Sequence, residues 1–146
     1  MPKTDFYILP FADEKHILQF ACRLAEKAYQ QQHRIYFHMQ NPQQAHQLDE
    51  IMWTWRDESF LPHNLVGEGP DTLPPIQIGF DTIPSNQRDI LINLSQMLPE
   101  HHTQFNRILE IIPHNEKFQT DARERYRIYR ELNYPLQTHK PTQIEA

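Results

Sequence analysis

Arg123, Arg127 and Arg130 stand at i, i+4 and i+7, so on a helix they form one stripe of guanidinium groups. The segment from Ala122 to Arg130 holds four arginines against one glutamate, Glu124, in a chain whose formal net charge is -5. Arginine presents a planar fork of donors that matches carboxylate or phosphate at two points. Phe118, Ala122, Tyr129 and Leu132 make an apolar face for the same helix, and Tyr126 falls between that face and the stripe. From the residues alone two readings stay open. One is a solvated amphipathic helix whose arginines are satisfied by neighbours. The other is an anion groove that holds the carboxylates of a short acidic peptide, with an apolar edge near Ile111, Ile112 and Tyr126 for its terminal side chain.

Other chemistries find less support. A dinucleotide site needs a glycine-rich turn after the first strand, so that backbone N–H groups can approach pyrophosphate. The turn here is PFADEK, which lacks glycine and offers Asp13 and Glu14, and no GxxxxGK[ST] occurs. No HExxH occurs, and the adjacent His101 and His102 point about 100° apart on a helix, so they seldom share a metal. His63 has no acid or nucleophile beside it in the sequence and reads as a polar turn residue. Cys22 lies in an apolar helical stripe and reads as a packed thiol. Asp49 and Glu50 are helix neighbours that face apart and read as a solvated surface. No catalytic group, cofactor or metal site is expected.

The elements that must position the arginines follow a regular order. TDFYIL (4–9) reads as a buried strand, and Asp13 caps a helix running to about Gln31, with apolar residues at helical spacing. A second strand centres on residues 34–38. NPQQ then opens a helix, with Asn41 as cap, Pro42 at the first helical position and Gln44 at the capping-box position. Strands follow at PIQIGF (75–80), DILINL (89–94) and RILEII (107–112), with a short helix from Pro99 through Phe105. The last helix spans about 115–133, and the polar chain beyond Pro135 is expected to fray. This alternation implies an α/β fold: three layers around a largely parallel sheet of about five or more strands, nucleotide-binding-like but without a phosphate loop. Residues 1–136 make one domain and 137–146 a polar, flexible tail.

Bulk properties agree with one domain. A chain of 146 residues can bury roughly 68–70% of its unfolded surface, so it needs no staples. One cysteine permits no internal disulfide, no apolar run is long enough to span a bilayer, and no signal peptide is visible at the N-terminus. A cytoplasmic protein that does not engage membranes is expected. The negative charge argues mildly against broad adhesion to nucleic acid.

A second stretch invites explanation. ESFLPHNLVGEGP (58–70) holds two of the three glycines and follows directly on Trp53 and Trp55. Its aromatics are either core residues at a helix end or anchors for another protein.

With LDEIMW (48–53), RDILINL (88–94), ARERYRIYR (122–130) and TDFYIL, this loop makes the chain resemble the chi subunit of bacterial DNA polymerase III holoenzyme over essentially its whole length. The resemblance implies a non-catalytic accessory subunit of the clamp loader. It implies two protein partners: the small psi subunit, and the acidic C-terminal tail of single-stranded-DNA-binding protein, which ends in phenylalanine. DNA is reached indirectly through them, in the replisome. The psi-facing surface falls on Trp53 and Phe60, with Pro62, His63 and Asn64 as contributors. The tail-binding surface falls on Arg123, Tyr126 and Arg127, with Ile112 at the apolar end and Arg130 continuing the stripe. The chain departs from the family pattern at Gln119, where a basic residue is expected, and at Arg127, where a lysine is replaced with its charge kept. The loss at Gln119 implies weaker binding of the acidic stretch of the tail and bears less on capture of its terminal phenylalanine. Two rival functions remain: a direct nucleic-acid binder using the arginine helix, and a nucleotide-handling α/β enzyme.

Overall fold

The computed structural model describes residues 2–55, 61–66, 74–80 and 89–141. They form β1 (Lys3–Ile8), α1 (Glu14–Gln30), β2 (Ile35–His38), α2 (Pro42–Trp53), β3 (His63–Leu65), β4 (Ile76–Gly79), β5 (Ile90–Asn93), β6 (Arg107–Ile112), α3 (Glu116–Glu131) and β7 (Leu136–His139). Each helix begins at a short polar side chain that accepts a hydrogen bond from an orphan backbone N–H. Asp13 accepts from His16, Asn41 from Gln44 (2.8 Å) and Asn115 from Phe118 (3.1 Å). Gln44 also accepts from the Gln40 N–H (2.8 Å), one residue earlier than a regular capping box would reach. Just beyond the ends of α1 and α3, Gln32 and Asn133 take left-handed φ values of 67° and 63°, which turn the chain out of the helix.

The strands pair in the order β3-β4-β2-β5-β6-β1-β7, and every pairing is parallel. Side-chain alternation divides the core into two. Residues such as Ile35, Phe37, Ile76, Ile92, Leu109 and Ile111 pack on α1 and α2. Phe6, Tyr36, Leu91, Ile108 and Ile112 face the other way, onto Ala122 and Tyr129 of α3. The layers are therefore two helices, the sheet, and one helix, the α/β arrangement the sequence implies. Gly79 has a packing reason, since a Cβ there would lie 2.7 Å from the Tyr36 hydroxyl.

Three local expectations are corrected. The segment after Pro135 does not fray at once, because Leu136–His139 pairs in parallel with β1 from Thr4↔Leu136 to Tyr7↔His139. His63 lies in a strand, β3, which adds to β4. Both strands sit at sheet edges and are short, so they bury too little apolar surface to show a period in the sequence. Between Pro99 and Phe105 the chain makes a 3-10 turn at His102–Gln104 in place of a short α-helix.

Candidate functional site

The rotation of α3 is set from inside. Glu110, on the α3 face of β6, is fully buried, and Arg125 is nearly so. The Arg125 guanidinium donates to Glu110 at 3.1 and 3.0 Å and to the Gln96 carbonyl at 2.7 Å. Tyr129 Oη donates to the other Glu110 oxygen (2.8 Å), and Asn93 Nδ2 donates to the same carboxylate (3.0 Å). Burial, reinforced by the Glu110 carboxylate, pushes the Tyr129 phenol far above its ordinary range, so it remains a donor. Every partner in this network is satisfied, which is the condition for tolerating buried charge. Ala122, Arg125 and Tyr129 thus form the face of α3 turned to the sheet. Leu132, expected on that face, is 43% exposed, because the charged network rather than an apolar stripe holds the C-terminal half of the helix.

That rotation carries Gln119, Arg123 and Tyr126 to the open side of β1 and β7. They meet Phe6, Ile8, Ile112, Ala122, Thr138 and Lys140 around a hollow of about 280 Å³. Its floor is apolar: Phe6, Ile8 and Ile112, with Tyr126 edge-on to Phe6 at 5.3 Å between ring centroids. Among the described residues its rim carries two cations, Arg123 and Lys140, and no carboxylate. The volume is just below the roughly 300–1,000 Å³ usual for small-molecule sites and suits one large side chain better than a nucleotide.

Of the residues named for tail binding, Ile112, Arg123 and Tyr126 converge on this hollow. Arg127 and Arg130 do not line it. The Arg127 guanidinium is engaged by Glu124 and, at 2.7 Å, by Glu131, all on the exposed surface of the helix. The two carboxylates hold its protonated form and raise its pKa. Arg130 is exposed, and among the described residues neither it nor Arg123 nor Lys140 has an ion-pair partner. Phe6 and Ile8 were not named, because their place on the side of Ile112 follows from the parallel register of β1 with β6, Phe6↔Glu110 and Ile8↔Ile112. Nor were Thr138 and Lys140, because they belong to β7 and the residue just after it.

The other surface gathers around the end of α2. Trp53 is 56% exposed, and its ring lies 4.6 Å from that of His63. His63 is buried, with Nδ1 2.5 Å from the Leu61 carbonyl and Nε2 3.2 Å from Asp49 Oδ1. The acid absent from its sequence neighbourhood is therefore supplied by α2. Pro62 and Asn64 are half-buried beside it, while Phe60 falls outside the described residues. Trp55 is also half-buried and packs on the α1–α2 core.

Cys22 and His102 are both buried. Cys22 is wholly buried, and burial, with Glu26 nearby, pushes its thiol up to about 12. His102 packs edge-on against Tyr129 and Tyr134, 2.9 Å from the Tyr134 hydroxyl. Among the described residues no group of three or more His, Cys, Asp or Glu is placed to hold a metal ion, and no helix is long and apolar enough to cross a membrane.

Comparison with known proteins gives a consistent result. The family described as DNA polymerase III chi subunit, HolC, matches residues 1–137. The DNA polymerase III subunit chi of Pseudomonas aeruginosa is 40% identical over 144 residues, covering 99% of this chain and 100% of that one. The protein of the same name from Escherichia coli K12 is 35% identical over 121 residues, 82% of each chain. The one from Haemophilus influenzae is 34% identical over 140 residues, 94% of this chain and 97% of that one.

Proposed function

Since the chain belongs to the DNA polymerase III chi subunit family, a replication accessory subunit, we propose that it acts as a connector with no chemistry of its own. It joins the psi subunit of the clamp loader on one surface to the acidic C-terminal tail of single-stranded-DNA-binding protein on another. The observation that carries the tail assignment is the hollow beside α3, where, among the described residues, an apolar floor meets a rim of cations without a carboxylate. A chain end offering a phenylalanine ring and a terminal carboxylate matches it on both counts. The ring is desolvated on Phe6, Ile8 and Ile112, while Arg123 and Lys140 face the negative groups. Arg127 and Arg130 add long-range attraction from the exposed side of the helix, which raises the encounter rate more than the affinity.

The test is a titration of a fluorescent acidic peptide ending in phenylalanine, beside the same peptide without its last residue. The first is expected to bind and the second to lose most of its affinity. Equal affinity for the two would remove the hollow from the reading.

The psi assignment rests on Trp53, a large exposed aromatic held against His63 at the end of α2, of the kind that anchors interfaces. Phe60, Pro62 and Asn64 complete this proposed surface, and the buried His63 supports Trp53 from beneath.

A further inference from the structure

A second hollow, of about 520 Å³, lies on the opposite face of the same sheet edge, between α1 and β7. Strand pairing explains the arrangement. Phe6 is paired with Thr138, and both face α3. Tyr7 is paired with His139, and both face α1. The floor of this second hollow is Tyr7, Phe20 and Leu24. The His139 ring is stacked on Tyr7 at 4.6 Å and tied to the buried carboxylate of Asp5 at 2.9 Å. Among the described residues its rim bears Arg23 and Lys27, one turn apart on α1, together with Lys140, against a single carboxylate, the buried Glu26. Among the described residues Lys27 and Lys140 have no ion-pair partner. Lys140 lines both hollows, so the two basic rims are continuous over the end of β7.

We infer that the second hollow is an extension of the peptide site. The apolar chain end seats beside α3, and the acidic stretch preceding it crosses Lys140 and lies against Arg23 and Lys27. This rests on the tail-binding reading and goes beyond it by giving the acidic stretch a path and two further contact residues. Charge complementarity supports that occupant: three basic residues stand on the rim of an otherwise acidic protein. Continuity supports it too, because Lys140 lines both hollows.

The experiment compares two fluorescein-labelled peptides ending in phenylalanine. One has only about four residues. The other has about ten, rich in aspartate, long enough when extended to span roughly 33–36 Å. Each is titrated at low salt against the wild-type chain, Lys27→Glu and Lys140→Glu. Lys27→Glu is expected to weaken the long peptide about three- to ten-fold and the short one less than about two-fold, with the difference shrinking at high salt. Lys140→Glu is expected to weaken both. If the wild type binds both peptides and Lys27→Glu leaves the long one unchanged, the path is wrong while the first hollow stands. If the wild type binds neither, the tail-binding reading falls, and the path with it. If a bare oligonucleotide binds more tightly than the long peptide and is lost in Lys27→Glu, the second hollow belongs to nucleic acid and the inference is overturned.

Discussion

Arg123 and Arg127 are one turn apart on α3 and carry the same charge, yet their surroundings differ. Arg123 stands on the rim of the apolar hollow, whereas Arg127 is already shared between Glu124 and Glu131. A peptide carboxylate therefore gains more from the first than from the second, which must give up existing partners. Arg123→Ala is expected to weaken binding of the acidic peptide by about ten-fold, the scale of a charge-assisted hydrogen bond, and Arg127→Ala by clearly less. Calorimetric titration of the two variants checks the ranking, and the reverse order would move the site along the helix. His102 makes a different kind of prediction. Burial holds its imidazole below the ordinary value of 6.5, so the unfolded chain binds that proton more readily than the folded one. Its contribution to stability is full above that value and is lost as the pH falls below it toward the folded pKa. Urea midpoints between pH 7.5 and 5.5 should decline less in His102→Gln than in the wild type, and identical slopes would sink the argument.

At the scale of elements, the question is what holds α3 in register over the sheet. The answer is a buried ion pair with its full set of hydrogen bonds. Glu110→Leu leaves the Arg125 guanidinium buried without its carboxylate and is expected to destabilise the fold by about 3–5 kcal/mol, whereas Glu110→Leu with Arg125→Met recovers part of that loss, the Tyr129 hydroxyl still lacking its acceptor. Chemical denaturation of the single and double variants measures both. A double variant no better than the single one would mean that the pair is not the principal tie. β7 is the other element in question. Ending the chain after Pro135 removes Thr138 and Lys140 from the first hollow and uncovers the edge of β1. Peptide binding should fall at least as far as in Lys140→Glu, and a truncated chain that bound normally would take β7 out of the site.

At the scale of the molecule, the two proposed surfaces are carried by different elements. Trp53 and His63 belong to α2 and β3, the latter at one end of the strand order, whereas the hollows flank β7 at the other. With the whole sheet between them, substitutions should act separately. Trp53→Ala is expected to impair co-purification with the psi subunit while leaving the peptide titration unchanged. Loss of peptide binding alone in that variant would exchange the two assignments.

The α/β class, the helix starts at Asp13, Asn41 and Asn115, and the five inner strands were all legible in the sequence. Each depends on local chemistry: a short polar cap, a 3.6-residue period, or an apolar run between turn residues. The stripe of arginines was legible in the same way. Which of them border a hollow was not, because burial of Arg125 against Glu110 depends on two residues 15 apart in sequence that meet only when α3 crosses β6. Nor was Lys140, which joins the rim because a short polar strand pairs with β1, a partner more than 130 residues away. Local propensity determined the elements, and long-range pairing decided which charges stand together.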